Sequence, residues 1–212
     1  MKRIIRMAVA AAILLTISAS EGIADGYKLR TSVSGAFKYG LPNEHSTWER
    51  MYGAEGVIQV PLSEIIAAGL VFGYESWDFN KQIELKAGGY QNVHDTVRGL
   101  PIGLSLRVTP KLDIPIQFTF EGGVRELFLD SEYKLSDGLI GVLGLDAAYP
   151  LDIPALKLSQ DKFALFAGLG YQFDLDQPSF DTTIEGMGTD DKVSLESIFF
   201  RVGLRYHFEY TW

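Results

Sequence analysis

The sequence predicts an all-β protein, an eight-stranded antiparallel up-and-down transmembrane β-barrel, and three observations carry that prediction. Hydrophobicity alternates with a period of two in eight separate segments, the signature of strands with one apolar and one polar face. The connections alternate between shorter turns at one end and longer loops at the other. The polar face carries charges of both signs while the opposite face is apolar along the middle of every segment.

Composition sets the frame. With 212 residues, 47% of them hydrophobic and 22% charged, the chain can build one domain and does not have the makeup of a disordered segment. The absence of Cys excludes disulfides, thiolate metal sites and thiol chemistry, and three His give little material for a His-rich metal centre. A formal charge of -8 argues against nucleic-acid binding, which needs clustered Lys and Arg against phosphates. No metal and no cofactor is expected.

Residues 1–24 read as a cleaved signal peptide and 25–212 as the barrel. Lys2, Arg3 and Arg6 precede an apolar run from Met7 to Ile17 that falls short of the ~20 residues a transmembrane helix needs. Small-x-small sites follow at Ser18-Ala19-Ser20 and at Gly22-Ile23-Ala24, of which cleavage after Ala24 is favoured. That cleavage leaves 188 residues and removes three cations and Glu21, so the formal charge moves from -8 to -10. The leader predicts export through the Sec pathway.

The strands follow in order. Residues 27–39 set Tyr27, Leu29, Val33, Phe37 and Tyr39 against Lys28, Arg30, Ser32, Ser34 and Lys38. Residues 50–60 set Tyr52, Ala54, Ile58 and Val60 against Glu55, Val57 and Gln59, and residues 67–79 set Leu70, Phe72 and Tyr74 against Gly73 and Glu75. In 94–108, Leu100, Ile102, Leu104 and Leu106 oppose Gly103, Ser105 and Arg107; in 112–126, Ile114, Ile116, Phe118, Phe120 and Val124 oppose Gln117, Thr119, Glu121 and Arg125. In 138–149, Leu139, Leu143, Leu145 and Tyr149 oppose Gly144 and Asp146; in 162–174, Phe163, Leu165, Leu169 and Tyr171 oppose Gly168, Gly170 and Gln172. The last segment alternates most strictly, with Phe200, Val202, Leu204, Tyr206, Phe208, Tyr210 and Trp212 against Arg201, Gly203, Arg205, His207 and Glu209.

Turns are expected at 62–66, 109–111 and 150–161, and loops at 40–47, 80–93, 129–137 and 175–196. A soluble barrel would turn its apolar face inward, and a membrane barrel turns it to lipid around a polar lumen. Mixed charges on the polar face favour the second arrangement, because they pair across a lumen. The expected lumen ion network comprises Arg30, Glu55, Glu75, Glu121, Arg125, Asp146, Arg201, Arg205, His207 and Glu209. Charges with lipid-facing parity, Arg50, Asp78, Arg98 and Glu126, lie near strand ends beside the loops and are expected in water at the rim. Tyr27, Tyr39, Trp48, Tyr52, Tyr74, Tyr149, Tyr171, Phe173, Tyr210 and Trp212 are expected to form two aromatic girdles facing the membrane interfaces.

With its eight segments and its aromatic terminus Phe208-x-Tyr210-x-Trp212, the chain resembles the small Gram-negative outer-membrane β-barrel family, the OmpA/OmpX-like group. In that family such a terminus acts as the barrel-assembly signal, which places Phe208, Tyr210 and Trp212 in that role. The terminal Trp, and His207 where Gly is common, depart from the usual form. The resemblance implies an outer-membrane location, a structural or surface-interaction role, and as partners outer-membrane lipid, lipopolysaccharide, the barrel-assembly machinery and periplasmic chaperones. A monomer is expected. An eight-stranded interior is just wide enough for side chains to fill, so an open pore is disfavoured.

No catalytic constellation stands out. His45 and Ser46 on the first loop would suit a lipid A-modifying enzyme, but that chemistry needs an apolar slot and the interior reads as charged. A narrow porin-like channel is the other alternative. Asp190 and Asp191 in the last loop lack the spacing of a calcium loop, and the strand glycines contain no phosphate cradle.

Overall fold

The computed structural model describes residues 30–42, 48–84, 90–131, 135–151, 162–179 and 192–209. Eight strands, β1 (Arg30–Pro42), β2 (Trp48–Pro61), β3 (Ile66–Glu84), β4 (Tyr90–Val108), β5 (Gln117–Asp130), β6 (Gly138–Pro150), β7 (Phe163–Asp176) and β8 (Ser197–Glu209), close into one barrel. Every strand pairs antiparallel with its sequence neighbours, and β1 meets β8 along an unbroken register from Arg30↔Glu209 to Pro42↔Ser197. Closure gives every strand a partner on both sides, which is what permits strands to cross lipid. The fold is therefore the transmembrane up-and-down barrel expected from the sequence. Residues 1–24 lie outside the described residues.

The faces follow the alternation. Phe37, Leu100, Phe120, Leu143, Leu169, Phe200, Val202 and Leu204 are all about half exposed or more, an apolar surface wrapped around the outside. An exposed apolar belt of this extent is intolerable in water and is what a lipid-facing surface requires. Tyr39, Tyr52, Tyr74, Tyr149 and Tyr171 also face outward. Tyr27, Tyr210 and Trp212 lie outside the described residues, and Phe173 is half-buried.

Several boundaries differ from the expectation. The fifth strand begins at Gln117, not 112, so the turn between β4 and β5 runs over residues 109–116. Pro110 and Pro115 cannot donate to a ladder, and Leu112, Ile114 and Ile116 remain exposed in that turn although their spacing mimics a strand. The expected loop at 80–93 is mostly strand, because β3 and β4 continue past their neighbours and pair from Asn80↔His94 to Glu84↔Tyr90. They reach 19 residues each against 13 or 14 for the others.

The largest correction concerns the interior. Toward the loop end it is not charged but apolar, filled by Trp48, Met51, Trp77, Phe79, Val97, Leu127, Ile140, Val142 and Phe199. Trp48 does not belong to a girdle. The register between β2 and β3 shifts between Trp48 and Arg50, and this bulge at Glu49 turns Trp48 inward with Met51, leaving it 3% exposed. The last loop also contributes to this interior. Val193 and Leu195 fold into the barrel mouth and join Leu135 above the apolar cluster. This strap is held by Val193 N donating to Pro178 O at 2.8 Å, Leu195 N to the Asp174 carboxylate at 3.1 Å, and Gln172 Nε2 to Leu195 O at 3.1 Å.

Candidate functional site in the lumen

Below the apolar floor the inward positions become charged. Lys38 on β1 donates to Glu75 Oε1 on β3 at 2.6 Å and to Gln172 Oε1 on β7 at 3.0 Å. Its ammonium also lies 4.2 Å from the centre of the Phe199 ring, at the boundary between the two floors.

The denser network centres on Arg201 of β8. Its Nε and Nη2 hold the Asp146 carboxylate of β6 at 2.8 and 3.0 Å, a side-on bidentate pair. Nη1 reaches Glu55 Oε1 on β2 at 3.0 Å and Nη2 reaches Glu121 Oε2 on β5 at 2.6 Å. Arg125 bridges the same two glutamates, at 2.5 Å to Glu55 Oε2 and 3.2 Å to Glu121 Oε1. Arg107, the direct register partner of Glu121, adds a contact at 2.9 Å. The Gln59 carboxamide fits between Arg107 Nη1 at 3.2 Å and Ser32 Oγ at 2.8 Å. Arg205 lies over the Phe166 ring at 5.3 Å and comes no closer than 3.7 Å to Asp146 Oδ2.

Inward glycines make the room. Gly168 is the register partner of both Asp146 and Arg201, and a Cβ there would overlap the Asp146 carboxylate. Gly144 sets its missing Cβ 3.3 Å from Arg201 Nη2, so larger residues at either position would push the guanidinium out of the network. Small residues on one strand and long charged ones on the next are thus two halves of a single packing arrangement.

Of the residues selected from sequence, Glu55, Glu121, Arg125, Asp146, Arg201 and Arg205 come together in this network, and Glu75 sits in the neighbouring pair with Lys38. Arg30 and Glu209 are opposite each other in the β1–β8 register; their side chains lie outside the described residues. His207 is half-buried opposite Ser32. Lys38, Arg107 and Gln172 were not selected, although the same inward parity marks them. Among the described residues, five buried cations, Lys38, Arg107, Arg125, Arg201 and Arg205, face four buried lumen carboxylates, Glu55, Glu75, Glu121 and Asp146.

At the loop-end rim, Arg50 pairs with Asp78 at 2.8 Å, and both line an open polar groove with Asn80, His94 and Arg98. Glu126 departs from the expectation of a solvated rim charge: it is only 8% exposed, between Ile102 and Leu139 in the register. Phe208 meets Tyr206 edge-on at 4.5 Å, and Tyr206 meets Phe163 at 4.7 Å. His45, Ser46, Asp190 and Asp191 lie outside the described residues, among which no group of His, Asp and Glu is placed to hold a metal.

Neither protein-family models nor curated proteins match the sequence. Solved structures do match the fold. The outer membrane protein OprG from Pseudomonas aeruginosa aligns with a TM-score of 0.60 at 14% identity, covering 87% of this chain and 99% of that one. A major outer membrane protein from Thermus thermophilus aligns with a TM-score of 0.55 at 16% identity over 86% of this chain and 100% of that one. Neisserial surface protein A aligns with a TM-score of 0.54 at 9% identity over 84% and 97%. At these identities the likeness is one of fold, and the fold is that of outer-membrane β-barrels.

Proposed function

We propose that this chain is an integral protein of the bacterial outer membrane with a structural or surface-interaction role, and that its lumen does not conduct. On this reading residues 1–24 direct export through the Sec pathway and are removed. Periplasmic chaperones and the barrel-assembly machinery then receive the chain, with Phe208, Tyr210 and Trp212 as its terminal signal. The folded monomer sits among outer-membrane lipid and lipopolysaccharide and presents its loops outside.

The observation that carries the sealed lumen is the reach of Arg201, whose guanidinium ties β8 to Glu55, Glu121 and Asp146 on three other strands. Permeation would require separating buried ion pairs, each costly to leave unpaired. The apolar floor above adds a second layer whose lining side chains are hydrophobic and carry no charge to replace an ion's hydration. Planar-bilayer recordings of the refolded mature chain are the test: the expected result is no steady conductance, and regular single-channel steps in the unmodified protein would replace this reading with the narrow channel. Mass analysis of lipid A from cells with and without the protein is expected to show no difference.

A further inference from the structure

We infer that the polar groove on the outer wall at the loop end is a binding site for the sugar headgroup of lipopolysaccharide. The inference rests on the outer-membrane reading above and gives that lipid a defined seat on the barrel.

Position selects the ligand. The groove occupies the outward face of β2 to β5 where the apolar belt ends. Arg50 is the next outward residue beyond Tyr52 on β2, Arg98 the next beyond Leu100 on β4, and Asp130 the next beyond Phe128 on β5. Tyr52, Tyr74 and Leu100 are themselves exposed on the belt. A transmembrane barrel meets lipid headgroups at this level, immediately beyond its aromatic girdle.

Two register pairs flank the groove. On β2 and β3, Arg50 closes on Asp78 at 2.8 Å and Asn80 Nδ2 donates to Glu49 Oε1 at 3.0 Å. On β4 and β5, Arg98 and Asp130 are also direct register partners, and both are exposed. Among the described residues, however, neither of their side chains makes an ion pair or a hydrogen bond. The groove has an open volume of about 630 Å3, within the range of about 300–1,000 Å3 that small-ligand sites occupy.

The chemistry is mixed and nearly balanced. Two guanidiniums and three carboxylates line the groove, so a dense cluster of negative charge gains little there. Arg98 is the guanidinium left without a carboxylate, and its planar fork accommodates one anionic group. Asp130, Asn80 and Ser131 around it supply acceptors and donors for neighbouring hydroxyls. A sugar ring bearing hydroxyls and one anionic substituent meets both demands. Phosphatidic acid offers the anion without the hydroxyls.

Native mass spectrometry of the refolded mature chain released from detergent tests the site. Lipopolysaccharide of short core is the probe, phosphatidic acid is the anionic lipid lacking sugar, and the heat-dependent shift in gel mobility checks the folding of each variant. The expected result is retention of a single lipopolysaccharide under conditions that strip phosphatidic acid. Arg98→Gln should reduce the retained fraction about tenfold, the loss of one charge-assisted contact, and Asp130→Asn by a smaller factor. Lys111→Gln, in the turn at the other end, should leave it unchanged. Retention that survives in the Arg98→Gln, Asp130→Asn double variant, equal retention of phosphatidic acid, or no retention by the unmodified chain overturns the site. Fractionation of cell envelopes tests the outer-membrane reading separately, so a chain found in the outer membrane that fails the retention test refutes the site alone.

Discussion

Trp77 and Glu75 are two residues apart on one face of β3, yet they belong to interiors built on different physics. Trp77 sits in the loop-side floor, where Trp48, Met51, Val97, Leu127 and Phe199 pack as in a soluble core. Glu75 opens the turn-side floor, where Lys38, Arg125, Arg201 and their carboxylates are fixed by hydrogen bonds. Both floors are dry enough to bury their members almost fully, but they fail differently. The apolar floor has no preferred partner for any one side chain and tolerates volume-conserving change. The ionic floor specifies partners individually, and losing one leaves another charge orphaned.

Four substitutions sharpen that contrast, taken from the largest effect down. Arg201→Met should cost about 3–5 kcal/mol, since it strands Glu55, Glu121 and Asp146 together. Urea unfolding of the refolded barrel measures it, and adding Glu121→Gln to that variant should recover part of the loss. Trp77→Ala should cost about 3 kcal/mol, near the low end for a large aromatic, because the strap at the mouth can settle into the space; Trp77→Phe should cost far less, whereas no single replacement spares the ionic floor. Gln172→Leu should cost about 1–2 kcal/mol by removing the link between Lys38 and Leu195. Faster amide exchange at Val193 and Leu195 would report it. Arg50→Ala at the rim should change stability by less than about 1 kcal/mol, and only at low salt, because that pair is exposed.

The two floors were also unequally legible in the sequence. On the turn side, charged residues stand out against the lipid face, so Glu55, Arg125, Asp146, Arg201 and Arg205 could be placed inward from parity alone. On the loop side both faces are apolar, as at Trp77, Phe79, Ile140 and Val142, and alternation loses its contrast. A bulge then removes what parity remains, which is why Trp48 reads as a girdle residue and is found in the lumen. The length of β3 and β4 was hidden for another reason: Asn80 to Glu84 are mostly polar on both faces, and strands that continue beyond a membrane need no apolar side. Arg205 could be assigned to the lumen from sequence but not distinguished from Arg201, since the paired edge of Arg201 and the longer 3.7 Å contact of Arg205 differ only in three dimensions.

The Glu55 to Arg201 contact spans 146 residues and ties the second strand to the last. Among the described residues, β1 to β7 set Lys38, Arg107 and Arg125 against Glu55, Glu75, Glu121 and Asp146, and β8 adds two cations to that set. Arg201 and Arg205 both lie on β8, the strand that closes the barrel by pairing with β1. Closure of the wall and pairing of Glu55, Glu121 and Asp146 with Arg201 thus fall to the same strand, so a chain lacking it is left both open-sided and short of that partner.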